Sequence, residues 1–209
     1  MHSSFFRSML LCGVLTFGSG VKAALIFYDD FSGNTPGVDR TPLGWTIAST
    51  GGVDIIGTCN SVELDDLLPG NNCYIDLTSD VGPPSSFGSN GLLSKSLFLP
   101  AEYTYIASFV LGGNNVNPFV DNVTVGFGTS IKEITVNTDD SFSPYSISFT
   151  PTISDFYTLS FLNSNVDYYG ALLDNVRVEQ VPGPLPLLGI GTAYAFSRRL
   201  RAHRRAKKS

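Results

Sequence analysis

Carboxylates are the main chemical resource of this chain of 209 residues: it has 18 acidic residues, and all of them lie between Asp29 and Glu179. Only Arg40, Lys95, Lys132 and Arg177 offset them there, so four bases against 18 acids leave that stretch at −14. A glycoside hydrolase needs two carboxyl groups placed across a bond, and Asp29-Asp30, Asp65-Asp66 and Asp139-Asp140 supply adjacent pairs. Adjacent residues of a strand point to opposite faces, however, and acid pairs in loops commonly do no more than solvate. A histidine triad or a histidine-held metal inside this region is excluded, because the only histidines are His2 and His203. The negative charge repels phosphate, which argues against nucleic acid as a partner.

Asp174 stands out among the acids. Strict alternation places Leu172, Asp174, Val176 and Val178 on one face of a strand, with Asn175, Arg177 and Glu179 on the other. If the valines face a core, so does a carboxylate, which is costly unless it is hydrogen-bonded, paired or bound to a cation. Backbone amides or Arg177 could serve it. So could Ca²⁺, which takes six to eight oxygen ligands and suits so acidic a region. Sugar recognition calls for an aromatic ring beside planar polar groups. Asp167, Tyr168 and Tyr169 in the loop-like run VDYYG offer that chemistry, with the asparagines of GGNNVN (residues 112–117) as further candidates. Trp45, the only tryptophan, is a second candidate platform, although a lone Trp beside Gly44 equally suits a core.

The elements that must position these residues read as strands. Tyr145, Ile147 and Phe149 alternate with serines and a threonine; Val123, Val125 and Phe127 do the same, as do Tyr157, Leu159 and Phe161. Residues 103–110 are apolar nearly throughout, which predicts a central strand covered on both faces. Roughly ten strands at this spacing predict an all-β domain over residues 24–180: an antiparallel β-sandwich of jelly-roll type.

The flanks read as addresses. Residues 1–23 have the form of a signal peptide, with Arg7 ahead of an apolar run (8–20) and small residues around Ala23. A signal helix of this length falls short of the ~20 apolar residues that span a bilayer. Export leaves Cys59 and Cys73 as the mature cysteines, an even count that predicts a disulfide in an oxidising compartment, with two buried thiols as the alternative. At the other end, residues 181–209 run from Pro182-Gly183-Pro184 through a short hydrophobic helix (LPLLGIGTAYAF) to Arg198, Arg199, Arg201 and further bases. Twelve helical residues cover about 18 Å, less than a hydrocarbon core of about 30 Å. The basic run acts as a stop that stays cytoplasmic.

This tail resembles the sorting tail of PEP-CTERM proteins, with Gly183 where the family's triplet carries Glu. The resemblance implies processing by an exosortase after signal peptidase has acted, transient anchoring in the inner membrane, and residence at the cell surface or in the extracellular matrix. The body, in turn, resembles galactose-binding-like jelly rolls of carbohydrate-binding modules. The landmarks are FYDDFSG (27–33), Gly44-Trp45, NCYIDL (72–77) and GALLDNVRV (170–178), with Asp174-Asn175-Val176 in the last strand. That resemblance implies first and last strands side by side, and a metal site in which Asp29 or Asp30 joins Asp174. The expected protein is thus exported and non-catalytic, with extracellular polysaccharide as its ligand. A purely structural matrix component and an extracellular glycan hydrolase are the alternatives.

Overall fold

The computed structural model of the protein describes residues 23–48, 51–79, 89–116, 118–165 and 168–181. The expected signal helix and the sorting tail from Pro182 to the basic cluster lie outside these residues. Among the described residues no helix is long and apolar enough to cross a membrane.

Among the described residues fourteen strands follow one another, the first half being β1 (Ala24–Asp29), β2 (Thr46–Ala48), β3 (Asp54–Cys59), β4 (Val62–Leu64), β5 (Cys73–Asp76), β6 (Thr78–Ser79) and β7 (Ser89–Asn90). The second half holds the longer ones: β8 (Leu92–Leu99), β9 (Thr104–Gly112), β10 (Asp121–Phe127), β11 (Ser130–Val136), β12 (Ser143–Phe149), β13 (Asp155–Asn163) and β14 (Leu172–Val181). The count exceeds the ten expected because β2, β4, β6 and β7 are only two or three residues long, too short to show a period.

A seven-stranded sheet in the order β12-β9-β14-β5-β3-β4, with β1 also on β14, faces a five-stranded sheet in the order β11-β10-β13-β8-β2. Both are antiparallel, so the predicted all-β sandwich is the observed one. First and last strands lie together. The opening of β14 pairs with β5 through Leu172↔Asp76 and Leu173↔Ile75, and its later part pairs with β1 from Asp29↔Val176 to Ala24↔Gln180. Pro144 sits on β12, a sheet edge, where a missing N–H breaks no ladder.

The core fills the space between the sheets with the residues that alternation selects: Val123, Val125 and Phe127 of β10, Leu159 and Phe161 of β13, Ile147 and Phe149 of β12. Phe109 of β9 meets Phe161 of the opposite sheet edge-to-face at 5.0 Å. β9 is central, yet it is covered on one face only. Tyr105, Ala107, Phe109 and Leu111 are buried, while Thr104, Ile106, Ser108 and Val110 on the other face are half-buried. The apolar run hid this because Ile106 and Val110 occupy outward places.

Cys59 and Cys73 form the predicted disulfide, with an S–S distance of 2.07 Å and Cα atoms 4.7 Å apart, tying β3 to β5. Between these two strands the chain passes through β4 and a loop of residues 65–72. Gly57, at φ 84°, is required here: a Cβ would stand 2.2 Å from Asn72 O.

Candidate functional site

The loops after β4, β9, β11 and β13 gather at one end of the sandwich, and buried polar side chains hold them. Asp121 and Asn163 occupy the last inward-facing places of β10 and β13, where the core residues give way to polar ones. Asn163 Nδ2 donates to Asp121 Oδ1 at 2.9 Å and to Thr78 Oγ1 at 3.1 Å. Thr78 Oγ1 donates to Asn90 Oδ1 at 2.9 Å. Asp76 Oδ1 accepts from Thr78 N at 2.9 Å and from Gly170 N at 2.8 Å. Burial raises the Asp76 carboxyl well above the usual carboxylate range. Hydrogen bonds from Thr78 and Gly170 oppose that rise, and the charges of Asp54 and Asp121 add to it. Gly170 must be glycine in this arrangement, since a Cβ would lie 2.4 Å from Thr78 Oγ1 and 2.6 Å from Asn163 Nδ2.

This network brings together two loops that the sequence offered separately. Asn114 Nδ2, fully buried, donates to Tyr169 O at 3.1 Å and to Asp121 Oδ2 at 3.3 Å. Asn114 is therefore a brace between the asparagine loop and the tyrosine loop, and is closed off from any ligand. Next along the chain, Asn115 adopts φ 58°, and its N–H donates to Thr138 O at 2.8 Å. Gly113 N donates to Asp140 O at 2.8 Å, which fixes the turn of residues 137–142 beside them. Tyr168 is exposed and Tyr169 half-buried; Asp167 lies outside the described residues.

Beside these loops runs an open groove of about 310 Å³ lined by Leu68, Pro69, Asn71, Ser141 and Phe142. Leu68 and Phe142 of that lining pack, with Leu67, against a small buried apolar cluster on the outer face of the seven-stranded sheet, made of Ile56, Tyr74 and Leu172. Tyr74 meets Phe142 edge-to-face at 5.6 Å, and its hydroxyl donates to Asp66 Oδ1 at 2.9 Å while accepting from Leu68 N at 2.9 Å. Burial pushes the Tyr74 hydroxyl up from its ordinary pKa, so this anchor stays neutral. The groove thus sets Leu68, Pro69 and Phe142 beside Asn71 and Ser141, a mixed lining suited to a ligand with one apolar face and a rim of hydroxyls.

Trp45 does not belong to such a surface. It is 5% exposed, its ring packs against Phe27, Phe31 and Phe161, and its Nε1–H donates to Asp29 Oδ2 at 2.8 Å. Of the two readings of that residue, core is the correct one: a buried indole needs one acceptor, and Asp29 supplies it.

The Asp29, Asp30 and Asp174 group lies where β1 meets β14. A bulge corrects the expected facing of the last strand: four residues, Asp174 to Arg177, oppose the three of β9 from Val110 to Ser108. Asn175 takes up the extra residue at φ 52°. Leu173, Val176 and Val178 therefore face the main core, and Leu172 and Asp174 face the other side. Asp174 Oδ1 accepts from Asn175 N at 2.6 Å and its Oδ2 from Asn175 Nδ2 at 2.9 Å. Arg177 turns instead to Glu179 at 2.5 Å. Burial pushes the Asp174 carboxyl up to about 7, opposed by the Asn175 N–H and reinforced by the charges of Asp30 and Asp29. Asp29 has each oxygen on an N–H group, those of Phe31 and Trp45, both at 2.8 Å. Asp30 Oδ1 accepts from Ser32 Oγ at 2.7 Å, which holds its carboxyl below the usual range. Among the described residues no three acids, cysteines or histidines converge as a metal cluster.

No family model matches the chain, and no curated protein matches its sequence. Solved structures match its fold. The "CBM22-1 xylan-binding domain from Paenibacillus barcinonensis Xyn10C" is 10% identical, with a TM-score of 0.52 over 78% of this chain and 97% of that one. A cyclase from Fischerella sp. TAU is 16% identical, with a TM-score of 0.53 over 78% of this chain and 100% of that one. At such identities the likeness establishes a jelly-roll β-sandwich and nothing finer.

Proposed function

We propose that the chain is an exported, exosortase-sorted surface or matrix protein whose jelly roll binds extracellular polysaccharide without catalysis. The observation that carries the binding half is the loop end. There a tyrosine loop is braced to an asparagine loop, beside a groove lined by Leu68, Pro69 and Phe142 together with Asn71 and Ser141. The similarity in fold to a xylan-binding domain supports this reading. The non-catalytic half rests on the sequence, which has no histidine between His2 and His203. Signal peptidase and exosortase are the processing partners: the first acts on residues 1–23, the second on the tail of residues 181–209 with Pro182, Gly183, Pro184, Arg198, Arg199 and Arg201. Calcium, if bound, would be held by Asp29, Asp30 and Asp174, whose carboxylates in this structure accept N–H and O–H groups.

Affinity electrophoresis of the mature protein through gels cast with xylan, and with the producing cell's own matrix polysaccharide, tests the binding. Retardation by at least one of them is expected, reduced several-fold by Phe142→Ala or Tyr168→Ala. Migration unchanged in both gels would overturn it and leave the purely structural matrix role.

A further inference from the structure

Both ends of the described chain leave the sandwich at the end opposite the groove. Ala24 pairs with Gln180, and Val181 with Thr104. The connections there are residues 100–103 and 150–154, tied by Ala101 N to Ser154 Oγ at 2.9 Å and by Glu102 N to Pro151 O at 3.3 Å. Large apolar side chains at this end point outward. Phe98 of β8 and Phe156 of β13 oppose each other with ring centroids 5.4 Å apart, and are 53% and 67% exposed. Ile153 is 63% exposed, with Tyr103 and Leu25 also exposed at the same end. Exposed apolar residues as such need no explanation, and Val116, Phe119 and Val120 are also exposed at the groove end; what sets the exit end apart is an outward pair of edge-to-face rings, Phe98 against Phe156, beside the exit of the chain.

What covers it follows from the chain beyond Val181. Three residues, 182–184, separate Val181 from the apolar run that opens at Leu185. Fully extended they reach at most about 11 Å. The run itself covers only about 18 Å as a helix, against a hydrocarbon core of about 30 Å. A tail this short enters lipid only if the domain's exit end is held against the bilayer. We propose that this end is a membrane-facing surface, with Phe98, Phe156, Ile153, Tyr103 and Leu25 seated at the boundary between headgroups and acyl chains while the tail remains attached. Aromatic rings favour that depth, and burying apolar surface there supplies the attraction. Glu102 and Asp155 stand among these side chains, so the matching surface is zwitterionic lipid rather than an anionic one. The proposal rests on reading residues 181–209 as an anchor.

The test uses the mature chain with its tail, reconstituted into vesicles of phosphatidylcholine and phosphatidylethanolamine. Single cysteines are introduced by Phe156→Cys, Ile153→Cys and, as the opposite-end control, Phe119→Cys, and each carries a fluorophore. The native Cys59–Cys73 pair is bonded and takes no label. Labels at positions 153 and 156 should be quenched several-fold more by a lipid-borne nitroxide than the label at 119, and less by aqueous iodide. Equal quenching at all three positions, in protein that floats with the vesicles, would overturn the membrane-facing surface and leave the anchor standing. Protein that does not float at all would overturn both.

Discussion

The two ends of this sandwich solve opposite problems. At the groove end, loops of some length must be held still, and buried side chains do it: Asp76 and Asn114 bond the backbone of Gly170, Tyr169 and Val116, while Asp121 bonds the side chains of Asn114 and Asn163. Each bond depends on its partner staying in place, because a buried polar group that loses its partner costs about 1–3 kcal/mol. At the exit end, the turns are short, hydroxyls at their margins brace them (Tyr105 to Pro100 O at 3.0 Å, Tyr157 to Ile153 O at 2.9 Å), and the paired rings of Phe98 and Phe156 face outward. Changes at the groove end should therefore show up in stability, and changes at the exit end in association. Each prediction below can break that division.

A large effect belongs to the disulfide. Cys59–Cys73 closes a loop with a sequence separation of 14, worth about 3 kcal/mol in the chain-entropy model. Replacing both cysteines by serine should lower the unfolding midpoint accordingly. It should also raise hydrogen exchange in residues 65–72 well above any change in residues 100–103. Equal acceleration at both ends would show that the bond stabilises the whole sandwich and not its groove end in particular.

A smaller effect is expected with pH, and its sign is set by burial. The folded-state Asp174 pKa, about 7, lies above its ordinary 3.8, so the folded protein holds more protons than the unfolded chain in that window. Stability from this group is complete at pH below about 4 and is lost as pH rises through about 7. Asp76, also raised, acts in the same direction. Melting measured from pH 4 to pH 8 should fall more steeply in the parent than in Asp174→Asn, whose side chain does not titrate. A bound calcium ion would favour the charged carboxylate and cancel the slope; EDTA would then restore it. Parallel curves for parent and variant, with and without EDTA, would remove Asp174 from both roles.

These expectations also mark what was legible before any coordinates. The sandwich was legible because Val123, Val125 and Phe127 and their counterparts alternate with small polar residues, and a period of two has one structural meaning. The side of the sheet that Asp174 faces was not, because a bulge at Asn175 shifts the phase by one residue and nothing in Asp-Asn-Val announces the extra residue. Trp45 was ambiguous until its acceptor, Asp29, was seen 16 positions away. The braces Asp76, Asp121 and Asn163 were missed altogether. One signal existed: Asp121 precedes the alternating run of β10 in phase with its valines, and Asn163 continues the phase of Leu159 and Phe161. A polar residue that extends an inward-facing series marks the mouth of a core. Which loops it would hold depended on contacts such as Asp76 with Gly170, 94 positions apart.

The smallest effect on stability is expected where the exposed area is greatest. Phe98→Ser with Phe156→Ser removes an edge-to-face pair of the kind worth about 0.5–1.5 kcal/mol beyond its burial. With both rings more than half exposed, the cost should fall below about 1 kcal/mol. Phe161→Ala, which empties a fully buried site five residues further along β13, should cost about 3–5 kcal/mol. Denaturant unfolding of the two variants side by side measures this contrast. If the double serine variant were as unstable as Phe161→Ala, the exit-end aromatics would be part of the core after all. A nearly unchanged midpoint would instead mean that folding makes little use of these rings, and that their exposure answers to something outside the domain.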